Sequence, residues 1–111
     1  MKLKYITTIL IISFSLMSYG QNESSLIPVY ENSLWGFIDA KGNYVIKPRF
    51  QSIGKFASNL APAREDALYG YINPVGRFVI PSKHDFALPF VNGTAKVYIK
   101  GKPFFIDKKG K

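Results

Sequence analysis

A 34-residue internal repeat is the feature that most constrains the fold of this 111-residue chain. Shifted by 34 positions, residues 24–57 overlay residues 58–91 without a gap, and 11 of the 34 pairs are identical. A third, incomplete copy begins at Asn92 and keeps Phe105, Ile106 and Gly110 at the same step. Repeats of this length are single supersecondary units that bury their apolar faces against one another. The period therefore predicts a tandem array.

Within each unit the sequence alternates with a period of two. Positions 27, 61 and 95 carry Ile or Ala and positions 29, 63 and 97 carry Val or Ala, whereas the positions between and after them are Pro, Tyr, Arg or Lys. This alternation predicts a strand with one buried face, and further strands follow at Leu34–Ile38, at Tyr44–Ile46 and at their copies. We found no helical period. The prediction is an all-β fold of tandem 34-residue β-repeats, forming a small repeat array or a closed barrel-like sheet with little or no helix.

One turn recurs in all three copies. Asp or Asn stands at its first position and Gly at its fourth, which is the pattern of a type I turn whose first side chain accepts a local backbone hydrogen bond. The predicted structural turn residues are Asp39, Gly42, Asn73, Gly76, Asp107 and Gly110.

The first 20 residues have the pattern of a secretory signal peptide. Lys2 and Lys4 precede an uncharged, mostly apolar run from Tyr5 to Met17, and small residues precede a cleavage point after Gly20. Gln21, not cysteine, would then start the mature chain, so no lipid anchor is encoded. We expect an exported protein that is periplasmic, on the cell surface or secreted, with a β-repeat domain over residues 21–111. Its predicted divisions are a partial unit 24–34, units 35–68 and 69–102, and a partial unit 103–111.

A run of residues in the first unit resembles a known family. Trp35-Gly36-Phe37-Ile38-Asp39 is followed by the turn glycine Gly42 and by Val45-Ile46, and this combination is similar to the WG-repeat family. The resemblance covers essentially all of Leu26 to Lys111. It implies a β-rich array that mediates interactions rather than catalysis. The second copy has Tyr69-Gly70 in place of the Trp-Gly pair, and the third has Pro103-Phe104.

The two ends of the mature sequence are complementary parts of one repeat. It begins with the latter part of a unit and ends with the first part of another, so the ends could pair and close the structure. About three repeats are needed to bury a continuous core, and roughly two and a half are present. Closure or a homo-oligomer would relieve that shortage.

No residue pattern indicates catalysis, a cofactor or a metal. The chain has no cysteine and one histidine. His84 stands beside Asp85, but neighbouring strand residues point to opposite faces, so a hydrolase is only a minor alternative. Asp39 and its copies could form a row of calcium ligands, yet they supply too few oxygens for a hard cation. We therefore predict no enzyme, no cofactor and no metal site.

The predicted binding surface combines rings with lysines. Its residues are Trp35, Tyr69, Lys96, Lys100, Lys102, Lys108 and Lys109. Phe37, Tyr71 and Phe105 recur at one position and are expected in the core. The net charge of +8 falls to +6 when Lys2 and Lys4 are removed. The sequence favours an exported module that binds a protein partner; the alternative is an anionic envelope glycan or lipid head group held by the lysine-rich end. Nucleic acid is not expected outside the cytoplasm.

Overall fold

A computed structural model of the protein describes residues 25–111, and the predicted signal peptide lies outside them. These residues form ten strands and no α-helix. The strands are β1 Ile27–Glu31, β2 Leu34–Ile38, β3 Tyr44–Phe50, β4 Ser52–Ile53, β5 Ala61–Glu65, β6 Leu68–Ile72, β7 Phe78–His84, β8 Phe86–Ala87, β9 Ala95–Ile99 and β10 Lys102–Ile106. The prediction of an all-β repeat fold is confirmed.

The strands make three separate antiparallel sheets, one for each copy of the repeat. The orders are β1-β2-β3, β4-β5-β6-β7 and β8-β9-β10. Contacts between β3 and β5 and between β7 and β9 join each sheet to the next. Because β1 lies in the first sheet and β10 in the last sheet of an array 46 Å long, the two strands do not pair. The closed barrel-like sheet is therefore not formed by the described residues.

Each of the three copies, counted from residues 24, 58 and 92, opens with a tight β-hairpin. The loop between β1 and β2 is Asn32-Ser33, with φ angles of 52° and 68°, and the loops between β5 and β6 and between β9 and β10 also have two positive φ angles. Such type I′ turns match the right-handed twist of the flanking strands. Ala67 occupies one of these positions at φ 76°, where a Cβ atom is unfavourable.

The second and third strands of a unit are joined through a pronounced bulge. Trp35 pairs with Phe50 and Phe37 pairs with Ile46, so two steps along β2 match four steps along β3. The same shift occurs between β6 and β7. The sequence predicted that β3 ends at Ile46, but the strand continues to Phe50 because Pro48 lies in the bulge, where a missing N–H breaks no ladder.

The glycine of the Trp-Gly pair is required by that bulge. A Cβ atom on Gly36 would lie 2.6 Å from the Pro48 nitrogen and 2.7 Å from the Lys47 carbonyl carbon, closer than real Cβ atoms approach. Gly70 meets Ser82 and Pro81 in the same way, at 2.7 and 2.8 Å. The backbone of the third strand thus lies directly on this glycine.

The hydrophobic core lies between successive units rather than within them. One cluster contains Phe37, Ile46, Phe50, Ala61, Ala63 and Ile72. The second contains the residues 34 positions later, Tyr71, Ile80, Ala95, Val97 and Ile106, together with Leu60, Ala87 and Phe90. His84 stands where Phe50 stands in the first cluster and is equally buried. Each unit therefore buries its apolar residues against the neighbouring units of the array.

Candidate binding surface

The predicted turn residues form three turns with the same hydrogen-bond pattern. Asp39 Oδ1 accepts hydrogen bonds from the backbone nitrogens of Lys41 and Asn43, at 3.0 and 2.9 Å. Asn73 and Asp107 accept the corresponding pairs. The turn glycines have φ angles of 90°, 92° and 87°. These side-chain oxygens are thus engaged by the backbone of their own turns.

The turn of one unit also contacts the preceding unit. The carbonyl oxygen of Gly76 accepts a hydrogen bond from Arg49 Nη1 at 3.0 Å. The Arg49 guanidinium also lies 4.5 Å from the Phe50 ring centroid and forms an ion pair with Glu65 at 3.2 Å. Arg49 therefore links β3 of the first unit to the second unit at two places, Gly76 and Glu65. The repeat pattern alone did not single out this residue.

Trp35 and Tyr69 occupy equivalent places in successive units and do not meet. The Trp35 ring packs against Tyr30, with centroids 4.8 Å apart, whereas Tyr69 packs edge-on against Phe86 at 5.4 Å. Each is half-buried beside a different core cluster. A groove of about 530 Å³ opens beside Trp35, and a smaller one of about 280 Å³ lies beside Tyr69. The two rings belong to repeated apolar grooves, not to one aromatic surface.

The lysines predicted to form one basic end are divided between the two ends of β10. Lys100 and Lys102 flank the β9–β10 turn, whereas Lys108 and Lys109 lie in the turn that follows β10. Four strand steps of about 3.4 Å separate these ends. That distance exceeds the Debye length of about 8 Å at physiological ionic strength, so the two groups act as separate charges. Lys96 lies between them on β9, 5.5 Å from the Tyr98 ring centroid.

Phe105 is exposed, which contradicts the expectation that it lies in the core. Its equivalents Phe37 and Tyr71 are buried, but Phe105 is 69% exposed. Phe37 is covered by Phe56 at 5.3 Å and Tyr71 by Phe90 at 4.9 Å between ring centroids. No strand of residues 25–111 pairs with β10 on its outer side, so no third strand and no following ring cover Phe105.

An apolar groove lies in front of Phe105. It has a volume of about 520 Å³ and is lined by Lys55, Ala57, Leu88, Pro89, Phe90, Val91, Thr94, Lys96 and Phe105. Lys96 and Phe105 are direct partners on β9 and β10, so both side chains are on the same face. We call this the third-copy groove. The sequence analysis predicted Lys96 as a surface residue but neither Lys55 nor the apolar lining, because nothing local distinguishes Leu88 or Val91 from core residues.

His84 and Asp85 have separate surroundings. His84 is only 2% exposed and its Nδ1 lies 3.0 Å from the carbonyl oxygen of Tyr69, to which it donates. Asp85 is exposed, and its carboxylate accepts a hydrogen bond from the backbone nitrogen of Lys100 at 2.6 Å. The imidazole is thus a packed core group that takes the place of a phenylalanine.

Two tyrosines have perturbed acidity for structural reasons. Burial raises the pKa of Tyr71, whose hydroxyl donates to the carbonyl oxygen of Leu88 at 2.6 Å. The hydrogen bond to Glu31 raises the pKa of Tyr44, with desolvation and the charge of Glu31 acting in the same direction. Both hydroxyls remain protonated donors at neutral pH.

Within residues 25–111, no cluster of three or more His, Cys, Asp or Glu side chains is placed to hold a metal ion. No helix in that range is long and apolar enough to cross a membrane.

Comparison with known proteins agrees with the repeat geometry. The sequence model of the WG containing repeat matches residues 35–69 and again residues 69–102. Neither the curated proteins nor the solved structures include a match to this chain. The two matches are consecutive and together span more than half of the sequence. The chain belongs to the family of proteins built from the WG containing repeat.

Proposed function

We propose that this protein is an exported, non-enzymatic interaction module that binds another protein through the C-terminal end of its repeat array. The observation that carries the proposal is the position of the exposed apolar side chains. Ten large apolar side chains are exposed among residues 25–111, and six of them lie between residues 86 and 105. They are Phe86, Leu88, Val91, Ile99, Phe104 and Phe105. Three of them, Leu88, Val91 and Phe105, line one groove. Apolar side chains exposed together in this way are typical of protein interaction sites.

The chemistry around this surface fits recognition rather than catalysis. The polar side chains that line the third-copy groove are those of Lys55, Lys96 and Thr94, and no carboxylate or imidazole is among them. The one histidine, His84, is enclosed in the core at the end of β7 and does not line the groove. Export rests on the predicted signal peptide at residues 1–20.

Retention of a partner at two salt concentrations tests the proposal. The purified chain is immobilised, incubated with envelope extract and washed at about 0.1 M and at about 1 M salt, where the Debye length falls from about 10 Å to about 3 Å. We expect a discrete protein that remains bound at the higher concentration, because apolar contacts are not screened. A paired substitution, Val91→Asp with Phe105→Asp, is expected to abolish retention, because both side chains are exposed and line the same groove. If no protein is retained by the native chain at either concentration, the proposed function is wrong.

A second candidate is an anionic glycan or lipid head group bound by the exposed lysines. The observation that favours it is the cluster of Lys108, Lys109 and Lys111 in and after the last turn. Binding of this kind needs only a positive field and is lost as salt is added. Co-sedimentation with vesicles of neutral and anionic lipid separates it from the first candidate. Loss of binding on replacing Lys108 and Lys109 with glutamate, with no effect of Val91→Asp, would favour the second candidate.

A further inference from the structure

The repeat shows what is normally packed on the ring at the position of Phe105. In the first copy this ring is Phe37 and Phe56 packs on it; in the second copy it is Tyr71 and Phe90 packs on it. Both covering rings come from the segment that follows the third strand of the unit. In the third copy the equivalent surface of Phe105 faces the third-copy groove. The fold therefore presents a position that is shaped to receive an aromatic ring.

The dimensions of the third-copy groove agree with this. Its volume of about 520 Å³ falls within the range of small-molecule and side-chain pockets. Leu88, Pro89, Val91 and Phe105 supply much of its apolar lining. An inserted ring would exchange this exposed apolar surface for contact, which is how aromatic residues act as anchors at protein interfaces.

The charge around the groove selects the rest of the ligand. Lys55 and Lys96 line it, and no acidic residue does. A second copy of this chain would be an unfavourable occupant, because it carries the same positive charge. A segment with carboxylates beside its aromatic ring would be attracted instead.

The geometry points to the third-copy groove as the binding site for an acidic segment of another protein, with an aromatic side chain that packs on Phe105 and carboxylates that pair with Lys55 and Lys96. This inference rests on the proposed protein-binding function and specifies its site and partner chemistry. A polysaccharide or phosphate group lacks the apolar ring that the walls of the groove would enclose.

Fluorescence anisotropy of a labelled peptide tests the site directly. The probe is a peptide with one central phenylalanine flanked by two glutamates on each side. Control probes replace the phenylalanine with glycine or the glutamates with lysines. We expect saturable binding of the first probe and weaker binding of both controls by about tenfold, a common effect of losing an anchor residue.

The chain offers matched control variants on the same strands. Phe105→Ala and Lys96→Glu alter the groove, whereas Phe104→Ala and Lys102→Glu alter the opposite face of β10, since alternate strand residues point to opposite faces. Both phenylalanines are exposed, so neither alanine variant opens a core cavity. Lys96→Glu and Lys102→Glu change the net charge equally and differ only in position. We expect the two groove variants to lose about tenfold in affinity and the two control variants to stay within about twofold.

The outcomes separate the site from the function. If Phe105→Ala and Phe104→Ala weaken the probe equally, or if no saturable binding appears up to about 1 mM probe, the groove assignment is wrong. A partner that is retained from extract equally by native chain and by Phe105→Ala would overturn the groove assignment while leaving the protein-binding function intact. Failure of the native chain to retain any protein would refute the proposed function itself.

Discussion

Replacement of Gly36 by alanine tests the reason for the Trp-Gly pair. The added Cβ atom would lie closest to the carbonyl oxygen of Ile46 and 2.6 Å from the nitrogen of Pro48, and contacts become ordinary only at 3.4 Å, so β3 would have to move by at least 0.8 Å. The obstructing atoms are backbone, which no side-chain rotation can displace. Because Ile46 and Phe50 flank the contact and belong to the core, the movement would loosen the packing between the first two units. Overpacking of this severity costs about 3 kcal/mol.

The measurement is urea unfolding followed by circular dichroism. For a domain of this size the slope is about 1–2 kcal/mol/M, so we expect a midpoint about 2 M lower for Gly36→Ala. Gly70→Ala should cost the same, because its Cβ would meet Ser82 and Pro81 at similar distances. An unchanged slope would show that the unfolding reaction itself is the same.

A matched control uses the same substitution where space is open. A Cβ atom on Gly93 would have no heavy atom within 4 Å, but φ is +84° there, so Gly93→Ala should cost only the left-handed backbone penalty of about 1–2 kcal/mol. The reasoning would be refuted if Gly36→Ala proved no more destabilising than Gly93→Ala. The third copy is consistent with the reasoning, since β10 has no bulged strand beside it and carries Phe104 at this position.

Three further predictions follow from single contacts. Ala67→Gly should raise the free energy of unfolding by about 1 kcal/mol, because Ala67 has φ +76°. Ala40→Gly should not raise the free energy of unfolding, and equal effects of the two substitutions in thermal unfolding would contradict the prediction. Arg49→Ala should lower the free energy of unfolding by about 1–2 kcal/mol, because it removes the ion pair with Glu65 and the contact with the Phe50 ring. Arg77→Ala, at an exposed turn position, should change the free energy of unfolding by less than about 0.5 kcal/mol. The backbone N–H groups of Lys111 and then Lys109 lower the pKa of Asp107 below its model-compound value of 3.8. The turn is therefore stabilised above that pH and loses this contribution as pH falls through the lower folded value. An NMR titration of the two amide protons should have its midpoint below 3.8, and a midpoint at or above that value would exclude the assigned hydrogen bonds.

Most of the local structure could be predicted from the sequence. Period-two alternation located the first strand of each unit, and the Asp39–Gly42 pattern located a turn whose hydrogen bonds are made within five residues. The Trp-Gly motif identified the family. These features depend on neighbours along the chain, so the residues that determine them are visible together.

The candidate site was predicted only in part. Lys96 was named from its charge, and it does line the third-copy groove. Trp35 and Tyr69 were grouped with the lysines because they share a position in the repeat, but the structure places them in separate grooves. Periodicity identifies equivalent residues and does not show which of them face a common space.

What the sequence alone determined about this protein is the unit: its length, its hairpins, its turns and its family. The tertiary structure decided how one unit covers the next. Phe37 and Phe105 are the same residue at the same point of the repeat, yet one is buried and the other is 69% exposed. The difference arises because burial depends on what packs against a side chain in three dimensions. The bulged third strand of the first unit and the ring that follows it cover Phe37, whereas no such segment of residues 25–111 covers Phe105.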